Sequence, residues 1–295
     1  MKNILFVFLI LVFFLIGCHQ REEISAKKVF IDEIGNRIEL SKNPERIIST
    51  APNLTEMIFA IGADDLLVGR TRFCNYPAEV NKIEIIGDML HLNFEKIVEL
   101  KPDLIFMTVE GNTKELYDKL KGLGIQIYVT NPRSLNDILR TIKNMGIILN
   151  RKDKADSLVN SINKSLKEIS SKNLKRQRAI FVVSFSPLII AGKNTFINEI
   201  LEQTNLENIS PEKSISAYPM ISREEVLDKN PDVIILPSSK YSIEEILRVY
   251  PEWKNLKAIK NRKIIYVDQD LFFRPGPRFI EAIKFLSNEL SKWNN

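Results

Sequence analysis

Few residues in this chain have the type and spacing for covalent or metal chemistry. Its histidines are His19 and His91, its cysteines are Cys18 and Cys74, and its Gly192-Lys193-Asn194-Thr195 run lacks the spacing of a phosphate-binding loop. A serine or cysteine nucleophile needs a nearby base held by a third group. Nothing beside Cys74 supplies one, so it reads as a buried or loop thiol. A receptor for free Zn or Mn needs several His and carboxylate ligands converging on one ion, and His19 and His91 do not supply them. The lone His in Met89-Leu90-His91 reads as a surface residue. The expectation is a protein with no catalytic residues, no resident cofactor and no metal site of its own.

Two carboxylates stand out instead. Residues 93 to 107, NFEKIVELKPDLIFM, recur at an offset of 129 as residues 222 to 236, SREEVLDKNPDVIIL. Glu95 aligns with Glu224, Pro102 with Pro231, and Asp103 with Asp232. Each copy opens on an N-cap residue, Asn93 or Ser222, and Ser222 with Glu225 spells a capping box. Each helix stops before Pro, and a wholly apolar strand follows. Glu95 and Glu224 fall in the first turn of their helices. A carboxylate there complements the helix dipole, worth about 0.3 to 1 kcal/mol. Two equivalent acids, one per half, also suit a pair of docking points on one rim.

The elements that position these residues alternate. Val29 to Leu40 reads as a hairpin around Gly35-Asn36. Strands are predicted at 46–50, 66–71, 103–108 and 126–130, with helices at 54–61 closed by Gly62, 94–100, and 113–120 closed by Gly122. A second set has strands at 179–184, 232–236 and 263–267 and helices at 195–203, 223–229, 243–250 and 278–292. Such alternation predicts an α/β protein of two Rossmann-like lobes with parallel sheets. Between the sets, residues 153–171 carry Ala155, Leu158, Val159, Ile162, Leu166 and Ile169 at three- and four-residue spacing, a helix of roughly 28 Å. Without Gly or Pro it bends little, so it predicts a bridge that holds the lobes at a nearly fixed separation. The expected division is residues 29–150, a bridging helix at 151–173, and residues 174–295.

Composition agrees with a soluble globular chain: 44% hydrophobic, 27% charged, and a net charge of +5 mixed along the sequence rather than gathered into a basic arm. Nucleic-acid binding is not expected. Residues Ile4 to Ile16 are an unbroken apolar run after Lys2, about 20 Å as a helix and too short for the bilayer core. It reads as a signal peptide over residues 1–17, followed by a polar tether over 18–28. The ending Leu15-Ile16-Gly17-Cys18 resembles the lipobox of bacterial lipoproteins. That resemblance implies cleavage before Cys18, lipidation of its thiol, and anchorage to a bacterial membrane on its extracytoplasmic side.

The mature chain resembles the bacterial ABC-transporter substrate-binding proteins of the cobalamin, siderophore and haem class, most of all the cobalamin-binding branch. The resemblance rests on Arg46-Ile47-Ile48-Ser49, Asn53-Leu54-Thr55-Glu56, Asn75-Tyr76-Pro77 and Leu100-Lys101-Pro102-Asp103-Leu104. It continues through Gly192-Lys193, Ile221-Ser222-Arg223-Glu224 and Arg274-Pro275-Gly276-Pro277-Arg278. It implies two α/β lobes joined by one long helix, with a small-molecule ligand held between them, and no enzymatic activity. It implies that Glu95 and Glu224 engage arginines of the membrane permease. It places ligand contacts on Phe73, Met89, Tyr218, Asp270 and Arg274; Tyr76, Phe185 and Phe272 join them from neighbouring loops. A monomer is expected.

Those residue types suit a large, flat, amphipathic ligand. Aromatic faces bury much area at little rotamer cost, and a guanidinium fork reaches carbonyl, carboxylate or phosphate groups. Asp270, four residues before Arg274, can accept amide hydrogens or hold Arg274 in place, or the two can form only a surface ion pair. Met89 and Tyr218 stand where the cobalamin pattern suggests tryptophan. The resemblance therefore implies a corrinoid ligand and leaves a ferric siderophore or haem open; His91 could be an axial ligand for haem or corrinoid, against its plainer reading as a surface residue. An adhesion lipoprotein fits the anchor but gives the rim acids no purpose.

Overall fold

The computed structural model describes residues 27–293 apart from 171, 173, 213, 215 and 238–241. The expected signal peptide, Cys18 and nearly all of the tether lie outside the described residues. The chain opens with an antiparallel hairpin, β1 (Lys28–Ile31) and β2 (Arg37–Leu40). Asp32 builds its turn by accepting from the amides of Ile34 and Asn36, and Gly35 takes the left-handed φ of +91° that the turn needs.

The first lobe follows: β3 (Ile47–Ser49), α1 (Pro52–Ala60), β4 (Leu67–Arg70), β5 (Glu84–Ile85), α2 (Phe94–Glu99), β6 (Leu104–Thr108), α3 (Lys114–Gly122), β7 (Gln126–Thr130) and α4 (Leu135–Ile148). Its strands form a parallel sheet in the order β5-β4-β3-β6-β7. A single helix of 19 residues, α5 (Lys152–Ser170), leads to the second lobe. There β8 (Gln177–Phe185), β9 (Leu188–Ile190), α6 (Phe196–Gln203), β10 (Leu206–Asn208), α7 (Arg223–Lys229), β11 (Val233–Pro237), α8 (Ile243–Val249), α9 (Lys257–Lys260), β12 (Ile264–Val267), α10 (Gln269–Phe272) and α11 (Phe279–Ser291) follow. The parallel order is β10-β8-β11-β12, with β9 antiparallel on β8.

The internal repeat is visible in the backbone. β6 and β11 start at Leu104 and Val233, the same offset of 129 that separates the two sequence segments. Lys101 and Asn230, again equivalent, both take left-handed φ, +46° and +42°, to end their helices. Asp103 then accepts from the amide of Arg46 at 3.0 Å and donates its own amide to the Arg46 carbonyl at 2.8 Å. Asp232 does the same with Arg178, at 3.0 and 2.8 Å. The Pro-Asp step thus ties the central strand of each sheet to its neighbour in both lobes.

Each sheet has an outer face with its own core, Ile48, Ile97 and Met107 in the first lobe and Ile180, Val226 and Trp253 in the second. The inner faces share one core. It runs from Leu54, Met57 and Phe106 through Val159 and Ile162 of α5 to Phe181, Phe279 and Ile283. The apolar stripe of α5 is therefore the wall that joins the lobes, and separating them would expose that core to water.

Three details differ from the sequence expectations. The 14-residue helix α4 was not expected; Ser134 and Asp137 cap it with a full reciprocal box, and Leu135, Ile138, Leu139, Ile142 and Met145 bury its inner face. The left-handed residue after α3 is Gly124, at φ +77°, and Gly122 is the helix's last residue. Ser222 caps α7 as expected by accepting from the Glu225 amide at 3.0 Å, but among the described residues the return bond from its own amide to the Glu225 side chain is not made, so the capping box is half formed.

Candidate functional site

In the first sheet β4 lies on one side of β3 and β6 on the other, so the chain reverses its direction of travel between β3 and β6. Beyond the carboxyl ends of such a pair a crevice opens, because the following loops leave in opposite directions. The loop after β6, Val109 to Asn112, lines that crevice. From the second lobe come Val183 of β8 and the segment Gln269 to Pro275 that follows β12. They enclose a cleft of about 490 Å³ lined by Phe73, Met89, Thr108, Glu110, Gly111, Gln269, Asp270, Phe273 and Arg274, among others.

The two apolar walls of the first lobe are built by polar side chains behind them. Asn112 accepts from the Thr50 hydroxyl at 2.6 Å and the Thr108 amide at 3.1 Å, and its own amide donates to the Met89 carbonyl at 2.8 Å. This ties the Met89 loop to the end of β6. Gly111 lies beneath the Met89 methyl; a Cβ there would sit 1.8 Å from it. The Phe73 loop is fixed by Cys74, whose buried sulfur lies 3.1 Å from the Thr55 hydroxyl and 3.2 Å from that of Thr71. Arg70, buried beneath, donates to the Cys74 carbonyl at 2.8 Å. Phe73 is left 52% exposed over the cleft.

The floor is ionic. Glu56 of α1, its side chain 2% exposed, accepts from Arg274 at 2.9 Å and from Arg278 at 2.9 and 3.0 Å. Arg274 also donates to Asn75 at 2.8 Å and to the Phe73 carbonyl at 3.2 Å, and it pairs with Asp270 at 2.7 Å. Asn75 returns a bond to Asp270 at 2.8 Å. Arginines from the second lobe thus grip the Phe73 loop and α1 of the first.

Four of the eight expected ligand contacts, Phe73, Met89, Asp270 and Arg274, line the cleft together. Of the roles open to Asp270, holding Arg274 is the one its distances fit. Tyr218 is half-buried and is not among the residues that line the cleft; its loop is stitched to β9 and the residues after it by Ile190 N–H to Pro219 O at 3.1 Å and Gly192 N–H to Ala217 O at 2.8 Å. Burial, followed by the charge of Glu110, pushes the Tyr218 hydroxyl up to about 12, so it is a neutral donor.

The other three are placed elsewhere. Tyr76 lies under the Arg278 guanidinium, 4.0 Å from its ring centre, and borders a separate hollow of about 360 Å³ between α1, α5 and α11. Phe185 ends β8 on the outer face and packs on Tyr250 and Trp253, with the Tyr250 hydroxyl bonded to its carbonyl. Phe272 is fully buried between Phe181 and Phe285. A short helix, α10, turns Phe272 inward and leaves Phe273 to the cleft, a difference of one residue that no sequence pattern fixes.

Glu110, Gln269 and Phe273 were missed. Glu110 carried one signal: it is the acid two residues past β6, the strand beside the central strand of the first sheet. Partial enclosure raises its pKa above the ordinary carboxylate value, and the charge of Arg133 only partly opposes this.

Glu95 and Glu224 are both exposed, and among the described residues neither makes an ion pair. Their neighbours do: Lys96 with Glu84, Lys229 with Glu225, and Arg223 with Glu252 at 4.0 Å. In a parallel βα unit the crossover helix starts at the carboxyl edge of the sheet. Both acids therefore stand at the cleft-side edge of their lobes. The described residues contain no cluster of three or more His, Cys, Asp or Glu able to hold a metal ion.

A family model described as periplasmic binding protein matches residues 47–271. The chain is 30% identical over 272 residues to an ABC transporter substrate-binding lipoprotein, YvrC, of Bacillus subtilis (strain 168), covering 89% of this chain and 85% of that one. Its fold is similar to the crystal structure of the periplasmic vitamin B12 binding protein of Vibrio cholerae, with a TM-score of 0.75 and 27% identity over 86% of this chain and 99% of that one. It is also similar to a possible iron-binding periplasmic solute-binding protein of Staphylococcus epidermidis, with a TM-score of 0.75 and 29% identity over 84% and 99%. The chain belongs to the periplasmic binding protein family, the extracytoplasmic substrate-binding components of ABC transporters.

Proposed function

We propose that this periplasmic binding protein captures a corrinoid ligand in the interlobe cleft and hands it to the permease of an ABC importer. The observation that carries the reading is the cleft itself, in which both lobes present apolar faces, Phe73 and Met89 opposite Phe273 and Val183, around few polar groups. Two exposed apolar residues adjoin lining residues in the chain, Leu90 at 57% beside Met89 and Val109 at 40% between Thr108 and Glu110. A ligand larger than the cleft would cover them. Relatives named for vitamin B12 binding support the same ligand class. A ferric chelate is the second reading, favoured by the likeness to the iron-binding protein above.

No bond is made or broken by the chain in this reading. Glu95 and Glu224 dock on cationic residues of the permease, which sets orientation and makes the encounter salt-sensitive. Cys18 carries a lipid that keeps the receptor at the membrane. Titration of the purified protein with cyanocobalamin, ferric siderophores and haem, followed by visible spectra, tests the ligand; saturable one-to-one binding of the corrinoid is expected, and binding of haem alone overturns the assignment.

A further inference from the structure

Among the ionisable residues that line the cleft, Glu110 and Asp270 are acids and Arg274 is the lone base. Arg274 is committed: both of its terminal nitrogens are engaged, one by Glu56 and Asn75, the other by the Phe73 carbonyl and Asp270. Asp270 is committed in turn, to Arg274 and Asn75. Glu110 makes no hydrogen bond or ion pair among the described residues. The uncommitted charge in the cleft is therefore negative. The groups nearby do not cancel it. Arg133 acts from outside the lining, exposed, with its Nε bonded to Asn131 at 3.3 Å. Tyr218 is neutral, and Gln269 and Thr108 carry no charge.

We infer that the cleft is a charge filter set by Glu110: it accepts ligands whose polar edge consists of amide or cationic donors and disfavours those whose edge carries carboxylates. The inference rests on the cleft being the binding site, as proposed above. A carboxylate offers two oxygens and about four lone pairs to N–H groups, and among the described residues no hydrogen bond uses those of Glu110. An amide-edged ligand supplies the missing donors, and the Gln269 amide can match either an amide N–H or its carbonyl. A carboxylate-edged ligand meets like charge and, among the described residues that line the cleft, finds no uncommitted guanidinium to offset it; Arg133, outside the lining, weakens this repulsion without removing it. At a separation of about 6 Å, in surroundings intermediate between water and protein interior, one such pair shifts affinity by about tenfold or more.

The test uses two matched pairs of probes. One is cyanocobalamin and the derivative in which a single peripheral amide is hydrolysed to the acid. The other is a cationic ferric trihydroxamate and an anionic ferric citrate complex. Dissociation constants are measured by calorimetry at neutral pH and low salt for the wild type, Glu110→Gln and Glu110→Asp. In whichever pair binds, the wild type favours the uncharged or cationic member by about tenfold, Glu110→Asp keeps the preference, and Glu110→Gln reduces it to within about threefold. The wild-type preference also narrows as the solution is acidified, because Glu110 takes up a proton more readily than an ordinary carboxylate. An unchanged ratio in Glu110→Gln, or a wild type that prefers the acidic member, overturns the filter and leaves the receptor reading standing. Failure of all four probes to bind overturns the ligand reading and the filter together.

Discussion

Replacing Glu56 by Gln tests whether the ionic floor holds the lobes together. Glu56 Oε1 lies 2.9 Å from both arginines and Oε2 lies 3.0 Å from Arg278. All three side chains are enclosed, at 2% exposure for Glu56, 12% for Arg274 and 16% for Arg278. An amide of the same volume removes the charge and turns one acceptor into a donor aimed at a guanidinium. Breaking a buried pair in this way costs about 3 to 5 kcal/mol, since the cations stay behind unpaired. For a domain near this size, about 1 kcal/mol lowers Tm by roughly 2 to 4 °C, so the expected fall is about 10 °C. Thermal unfolding followed by circular dichroism measures it, under conditions where unfolding reverses. A double-mutant cycle with Arg278→Met isolates the interaction, and Arg278→Met should cost at least about 2 kcal/mol less when Glu56 is already Gln. A Tm drop within about 2 °C, with the two substitutions additive, would refute the reasoning. The same substitution removes one of the four partners that fix Arg274, so the Phe73 loop is held less firmly and ligand affinity falls with stability.

Other substitutions separate the roles of neighbouring residues. Gly111→Ala places a methyl 1.8 Å from the Met89 methyl, the far end of a flexible side chain, so Met89 moves into the cleft; calorimetry should show ligand affinity reduced about tenfold and Tm nearly unchanged. Glu110→Gln should raise Tm at neutral pH by about 1 °C, a modest gain because solvent reaches the group. The raised folded pKa sets the sign: the ionised form destabilises the fold at neutral pH, and that penalty disappears as pH falls through the folded value, so the gain must vanish in acid. Replacing both Glu95 and Glu224 by Ala should leave affinity for the ligand unchanged and abolish uptake in reconstituted vesicles; uptake at the wild-type rate would refute the docking role.

Much of this architecture was legible in the sequence because strong local signals agreed with the packing. The repeat announced two equivalent βα units, and the same offset of 129 separates β6 from β11. The stripe of α5 was visible because one face meets a core throughout. α4 carries a clear cap and periodicity, yet its start follows Pro132 and its run contains Gly146, and both obscured a helix that tertiary packing completes. The site was legible in outline only. Phe73, Met89, Asp270 and Arg274 meet in one cleft, whereas Phe272 and Phe273 exchange roles through the rotation of a four-residue helix. The sequence offered Asp270 as a partner for Arg274 but not Glu56, which lies 218 residues away in the chain. The importance of Glu110 likewise arises from what surrounds it in space.

A crystal structure of the protein grown with cyanocobalamin tests the account most directly. The corrin ring should lie between Phe73 and Met89 of one lobe and Phe273 of the other, with a peripheral amide within hydrogen-bonding distance of Glu110 and the Glu56–Arg274 contact intact. Density for the ring in the hollow bordered by Tyr76 and Arg278, or on an outer face, would contradict it.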